Sequence, residues 1–243
     1  MTPVLHQAAD KIGWITLNQP ERMNAVTVEL ARGLQQAVAG LGNDPAVNVI
    51  VLRGAGGNFC AGGDFDEVER LRAGGPAELR ALFESFRGAC DAIAAVQVPV
   101  VAAVEGVAMA GGFELMQAAD IVLVSEQARI ADNHINVGMV PGGGSTQRLP
   151  GLVGRQLAMG LLLSGDRISG ADAVRYGLAY RSFPQVVFDD GVQRFAEALA
   201  GRRRNALTSV KRLVRTRPGL DGEIDAVVEH ICEQDASVFA GGS

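Results

Sequence analysis

Two ionisable residues stand in apolar, glycine-rich surroundings. Glu114 lies three residues after Gly111 in AMAGGFELMQAA, and His134 lies in ADNHINVGMVPGGGSTQRLP. The carboxylate is either a buried group satisfied by partners or a tuned catalytic one. Burial without a partner would raise its pKa above the reference of about 4.3, toward acid–base use. Histidine, with a reference pKa of about 6.5, serves as acid or base near neutral pH. The chain has three histidines. His6 and His230 have no neighbours that suggest chemistry.

Two segments ahead of His134 share a design. In VIVLRGAGGNFCAGGD an apolar strand runs into a glycine-rich turn; in VVAAVEGVAMAGGFEL another does so and a short helix follows. Such turns expose backbone N–H groups that the sheet does not use, and a helix N-terminus adds a positive potential. Two of them aimed at one point would stabilise an oxyanion, each contributing about 3–4 kcal/mol in a transition state. The alternative is a pair of ordinary tight turns. Other glycine signatures are incomplete. No glycine completes G-x-G-x-x-G after GAGGNF, VPGGGSTQ lacks the Gly-Lys-Ser/Thr of a phosphate loop, and there is no G-x-S-x-G elbow.

The elements that must position these groups follow from pattern. Ile12 to Leu17 alternates as a strand. Thr27 is a candidate N-cap for a helix whose apolar face is Leu30, Leu34, Ala37, Val38 and Leu41. Val47 to Leu52 reads as a short strand, and the polar stretch from Asp66 to Pro76 as a mobile segment. Ala77 to Val96 reads as a helix, Val98 to Val104 as a buried strand, Phe113 to Ala119 as a short helix and Ile121 to Val124 as a strand. From Leu149 onward helical patterns dominate. The order is that of an α/β fold with helices last.

Composition narrows the class. The 243 residues are 48% hydrophobic and carry a net charge of −5, which suits one large domain and argues against a general affinity for nucleic acid. Arg202 to Arg217 holds seven basic residues and reads as a solvated helical face, with Lys211 a candidate contact for phosphates across a subunit boundary. Cys60, Cys90 and Cys232 show neither metal-ligand spacing nor a disulfide framework. No apolar run approaches the roughly 20 residues of a membrane span, and MTPVLHQAAD lacks a signal-peptide pattern, so a cytoplasmic protein is expected.

Four motifs, in order, carry a resemblance. NQPERMNAVT, FCAGGDFDEV, GVAMAGGFELMQAADIVLVSE and VGMVPGGGSTQRLPGLVG resemble the ordered signature segments of the crotonase superfamily, the enoyl-CoA hydratase/isomerase family. The similarity runs from about Val4 to about Ala236. It implies a crotonase-like spiral of ββα units over residues 1–190 with the acyl-CoA site, and a helical C-terminal region over 191–243 that builds homotrimers or homohexamers. Against the family's usual pattern, the terminal segment is expected to be shortened here. The substrate implied is an acyl-CoA thioester, with no metal and no cofactor beyond the coenzyme A that the substrate carries. The oxyanion donors fall on Gly63 and Gly111, and Glu114 on the first catalytic glutamate of the hydratases. Arg22, Met23, Ala25, Ala61, Gly62, Gly63, Asp64 and Phe65 fall where the family wraps coenzyme A.

The resemblance also sharpens the question of His134. Asn133-His134 stands where hydratases typically show Pro-Glu, so His134 takes the place of the second catalytic glutamate. A neighbouring Glu114 carboxylate would favour imidazolium, making His134 the acid and Glu114 the base. The other possibility is a structural histidine and a lost catalytic role. Asp132 either orients the imidazole or points into solvent. Ala110 replaces the first of three usual glycines, a change expected to matter little because Gly111 keeps the donor. The expected activity is hydration of a 2-enoyl-CoA or isomerisation of its double bond. A thioester hydrolase or decarboxylase on the same frame, or a catalytically silent acyl-CoA-binding protein, are the alternatives.

Overall fold

The computed structural model describes residues 2–232. It opens with an antiparallel hairpin of β1 (Val4–Ala9) and β2 (Ile12–Leu17). β2 forms where its alternation predicts. β1 is exposed at five of its six positions, so it carries no apolar alternation to read. Thr27 caps α1 (Val28–Asn43) as expected, its side chain accepting from the Leu30 N–H at 3.1 Å. The predicted α1 face is buried. β3 (Val49–Gly54) then runs parallel to β2.

The stretch expected to be mobile is instead folded as α2 (Phe65–Gly74). Asp64 caps it by accepting from the Glu67 N–H at 3.0 Å, and Asp66 and Glu67 sit in its first turn, where the helix dipole favours negative charge. Only Val68 and Leu71 turn toward the core. So thin an apolar stripe is masked by the charges around it. Gly75 ends α2, and Pro76 opens α3 (Pro76–Ala95).

Next come β4 (Val100–Val104), β5 (Val107–Met109), α4 (Gly111–Met116), β6 (Ile121–Ser125) and β7 (Arg129–Ala131). After a short 3₁₀ turn at His134–Val137 follow α5 (Ser145–Val153), α6 (Arg155–Ser164), β8 (Ile168–Ser169), α7 (Gly170–Arg175) and β9 (Arg181–Phe183). The helical reading from Leu149 onward thus missed β8 and β9, which are too short to show a period. α8 (Phe188–Ala200), α9 (Arg204–Thr216) and α10 (Gly219–Cys232) close the described chain.

The large sheet has the order β1-β2-β3-β4-β6-β9, parallel throughout except for the β1–β2 hairpin; a small sheet has the order β5-β7-β8. Cys60 bridges to Ala108 beside β5. The chain therefore repeats one step: a strand in the large sheet, a short extended stretch beside or in the small one, then a helix. This is the expected α/β spiral of ββα units. The small sheet holds the turns that follow β3 and β4 side by side.

One face of the large sheet is covered by α8, whose Phe188, Val192, Ala196 and Ala200 pack on Val49, Val51, Val101 and Leu123. The boundary expected at 190/191 falls inside this helix, whose apolar face packs on the large sheet. α9 is not a freely solvated basic face either. Lys211 Nζ lies 2.7 Å from Asp120 Oδ2 and donates to the Val98 carbonyl, while Arg204 and Arg215 donate to carbonyls of Val47 and Ala94. These cations pin α9 to the core, and Lys211 is occupied there. α10 leaves Leu220, Ile224, Val227, Val228 and Ile231 exposed. Among the described residues no helix is long and apolar enough to cross a membrane. Residues 233–243, on which the expectation of a shortened terminal segment falls, lie outside the described residues.

Candidate active site

Backbone pairing brings the two glycine-rich turns together. The Ala61 N–H donates to Met23 O at 2.9 Å, the Val26 N–H to Gly62 O at 2.7 Å and the Asp64 N–H to Val26 O at 3.0 Å. On the other side the Cys60 N–H donates to Val107 O and the Met109 N–H to Cys60 O. Gly62, at φ 102°, is the point of closest approach: a Cβ there would lie 2.8 Å from Ala110 Cβ and 3.2 Å from Gly111 N. Gly63 and Gly111 line the same cleft. Among the described residues neither of their N–H groups is taken by a protein acceptor. The two candidate oxyanion donors are thus side by side and available.

Ala110 matters more than expected. It precedes α4 at φ 48°, ψ −115°, a conformation that suits glycine and strains any L side chain. Ala110→Gly should therefore raise the unfolding free energy by about 1 kcal/mol, measured by chemical denaturation. A midpoint at or below that of the parent would remove the strain.

Glu114 is 1% exposed. Its Oε1 accepts from the Gly143 N–H at 2.7 Å and the Ser145 N–H at 3.1 Å. Its Oε2 faces His134 Nε2 at 4.0 Å. Burial pushes the Glu114 pKa up, and the two N–H bonds and His134 only partly offset it. His134 begins the 3₁₀ turn after β7 and is largely buried. Its Nδ1 lies 2.6 Å from Asp132 Oδ1. Burial opposes the charged imidazolium, but the Asp132 hydrogen bond and the charges of Asp132 and Glu114 together outweigh it, and the His134 pKa is raised. Asp132 points inward, not into solvent. Asp132 and Glu114 meet opposite ring nitrogens, so the three side chains do not converge on one point, and among the described residues they form no metal-binding group.

The cleft above this pair is predominantly apolar. Val26, Val68, Leu82, Phe83, Phe86 and Met139 form its walls, with Glu114, Asn133 and His134 among the polar lining. Of the residues expected to hold coenzyme A, Ala61, Gly63 and Phe65 line the cleft, and Phe65 is 68% exposed at the start of α2. Arg22, Met23, Ala25, Gly62 and Asp64 lie in the paired segments beside it. Asp64 serves as the α2 cap and pairs with Arg22 at 3.0 Å; Arg22 also pairs with Asp66. No residue beyond Met139 lines the cleft among the described residues.

Several supporting residues were not singled out from sequence. Gly143 and Ser145 hold Glu114, and any side chain at Gly143 would run into Phe86 and Glu114. Arg148 donates to the carbonyls of both Glu114 and Gly143, tying the glycine loop to α4. The signal was present as VPGGGSTQR, but backbone donors carry no side-chain signature. Asn24 clamps the first turn by donating to Ala55 O and Asn58 O while accepting from the Gln19 N–H. Cys60 and Cys90 are close by, but burial pushes both thiols up to about 12, which rules them out as thiolate nucleophiles near neutral pH.

The chain is similar to known proteins over most of its length. The family model described as Enoyl-CoA hydratase/isomerase matches residues 7–228. A mitochondrial enoyl-CoA hydratase of Pongo abelii is 37% identical over 194 residues, which cover 79% of this chain and 65% of that relative, just under two thirds of its length. A peroxisomal Delta(3,5)-Delta(2,4)-dienoyl-CoA isomerase of Arabidopsis thaliana is 33% identical, covering 84% of this chain and 77% of the relative. The crystal structure of a putative enoyl-CoA hydratase/isomerase from Mycobacterium abscessus superposes with a TM-score of 0.90 at 28% identity, covering 96% of this chain and 93% of that one. With the paired glycine turns and the ββα spiral already evident, these matches establish that the chain belongs to the enoyl-CoA hydratase/isomerase family and has the crotonase fold.

Proposed function

We propose that the protein hydrates a 2-enoyl-CoA thioester, with Glu114 as base and His134 as acid. The observation that carries this reading is the pair itself: Glu114 Oε2 and His134 Nε2 face each other across 4.0 Å in an apolar cleft that also holds Gly63 and Gly111. One water molecule bonded to both atoms spans that distance. The thioester oxygen sits between the Gly63 and Gly111 N–H groups. Glu114 takes a proton from the water as its oxygen bonds to the β-carbon. The displaced electron pair moves to the thioester oxygen as an enolate, and the two N–H groups stabilise it. His134 Nε2 then gives its proton to the α-carbon, and the enolate returns to the thioester. Proton transfer from Glu114 to His134 resets the site. Double-bond isomerisation would use the same N–H groups without the water: removal of an α-proton from a 3-enoyl thioester gives a dienolate, and protonation at the γ-carbon moves the double bond into conjugation.

The apolar walls suit a hydrocarbon acyl group. The paired segments at Arg22, Met23, Ala25 and Ala61 to Phe65 hold the coenzyme A portion that the substrate carries. Thioester hydrolysis is the second reading. It is favoured by the Asp132–His134 bond, which would suit water activation beside the oxyanion donors. The exposed apolar row of α10 is assigned to contact between copies in a trimer or hexamer.

The test follows crotonyl-CoA by the ultraviolet absorbance of its conjugated thioester, with products identified by mass, on fractions separated by size. Loss of absorbance with a gain of one water and the thioester intact supports hydration. Release of free thiol moves the assignment to hydrolysis. A panel of acyl-CoA esters all returned unchanged would overturn the enzyme reading. Activity that elutes at the mass of a single chain would remove the oligomer.

A further inference from the structure

A carboxylate is buried behind the imidazole. Asp132 follows directly on β7, and its side chain is 1% exposed. Oδ1 lies 2.6 Å from His134 Nδ1, while Oδ2 is buried and meets no hydrogen-bond donor among the described residues. Such a group is a poor stabilising device. A carboxylate taken out of water needs both oxygens satisfied, and a single bond to a histidine does not achieve that. Its retention calls for another explanation.

We propose that Asp132 is a positioning residue: it fixes the His134 ring so that Nδ1 donates to Asp132 and Nε2 alone carries the exchangeable proton toward Glu114 and the cleft. The inference rests on reading the cleft as an acyl-CoA site. A neutral imidazole can hold its proton on either nitrogen, and the partner of one nitrogen decides the other. With Asp132 accepting at Nδ1, that proton stays. Nε2 becomes the atom that gains and loses a proton, and it is the nitrogen facing Glu114.

The backbone supports the arrangement. Asn133, between the two residues, has φ −103° and ψ 16°. This local bend lets side chains two apart meet, and the His134 carbonyl accepts from the Gly138 and Met139 N–H groups, anchoring the turn. The titratable groups facing His134 are Asp132 on its own loop and Glu114 on α4. Behind Glu114 stand Cys90 of α3 and Arg148 of α5. Since burial alone would lower the His134 pKa, neutralising Asp132 should let burial prevail.

The test uses protein labelled with ¹⁵N histidine, in which three residues report. In the parent, neutral His134 should carry its proton on Nδ1. In Asp132→Asn it should titrate at lower pH, kcat should fall about 100-fold with KM within about threefold, and the basic limb of the pH profile should move down. The denaturation midpoint should stay at or above that of the parent. An unmoved His134 titration in Asp132→Asn would overturn the proposal, as would an activity loss that follows a fall in that midpoint. If the variant does not fold, the parent's tautomer decides alone: a proton on Nε2 in the neutral ring overturns it. The labelled titration needs no turnover, so failure of the acyl-CoA reading remains a separate result.

Discussion

Glu114→Gln is expected to lower kcat by about 10³-fold while leaving thioester binding within a fewfold of the parent. The geometry makes this a clean substitution. The glutamine Oε1 can keep the two bonds from the Gly143 and Ser145 N–H groups, so the glycine loop and α4 stay tied. The atom that changes is the one facing His134 at 4.0 Å. An amide there cannot accept a proton from water, and a positioned general base contributes about 10²–10⁴-fold. Removing a buried carboxylate also removes a desolvation cost, so the variant should be no less stable than the parent. Glu114→Ala would be a poorer test, because it orphans two buried N–H groups. Steady-state kinetics with a parallel measurement of thioester affinity checks the prediction. Turnover at the parent's rate would take Glu114 out of the mechanism.

On the proposed reading the effect is confined to chemistry, because most of the coenzyme A contacts and the acid–base pair come from different segments of the chain. The segments around Arg22 to Val26 and Ala61 to Phe65 lie along the cleft and carry backbone donors, whereas the acid–base pair comes from α4 and the turn after β7. These parts meet because the small sheet stacks the successive turns against each other. Gly62 packs against Ala110 and Gly111, and Gly111 begins the helix that carries Glu114. Strain at Ala110 sits at that seam. A residue at positive φ held in place by its neighbours belongs where position matters more than stability.

How much of this was legible in sequence depends on how each feature is encoded. Amphipathic elements were readable: Thr27 and the α1 face, the strand at Ile12 to Leu17 and the helix ahead of Val96 each show a period or a cap. The site turns were readable as glycine clusters, and Glu114 and His134 as ionisable residues among apolar ones. Features encoded by backbone geometry were not. The short strands β5, β7, β8 and β9 have two or three residues each, too few for any period, yet β5 pairs with β7 and with the bridge at Cys60 to align the site turns. α2 was read as a mobile segment because only Val68 and Leu71 face inward. The hold on Glu114 comes from two backbone N–H groups, which carry no side-chain signature. The meeting of Asp132 and His134 depends on the bend at Asn133, and no residue type specifies that bend.

His134→Ala should produce the second large effect, a fall in kcat of about 10²–10³-fold, together with a change in the shape of the pH profile. As the acid, His134 works only while protonated, so the rate should fall as pH rises through its folded pKa, which lies above the ordinary 6.5. As the base, Glu114 works only while ionised, so the rate should fall as pH drops through a pKa that lies above the usual carboxylate range. The parent should therefore show a bell with both limbs displaced upward, each limb belonging to the coupled pair rather than to one residue. His134→Ala should erase the basic limb. Restoring the hydratase pattern with His134→Glu should not rescue activity. It would set a third carboxylate between Asp132 and Glu114 in a largely buried space, where like charges cannot all ionise. That variant should be both less active and less stable than the parent. A His134→Glu protein that matched the parent in rate would show that the acid works by position alone, and that Asp132 has no part in tuning it.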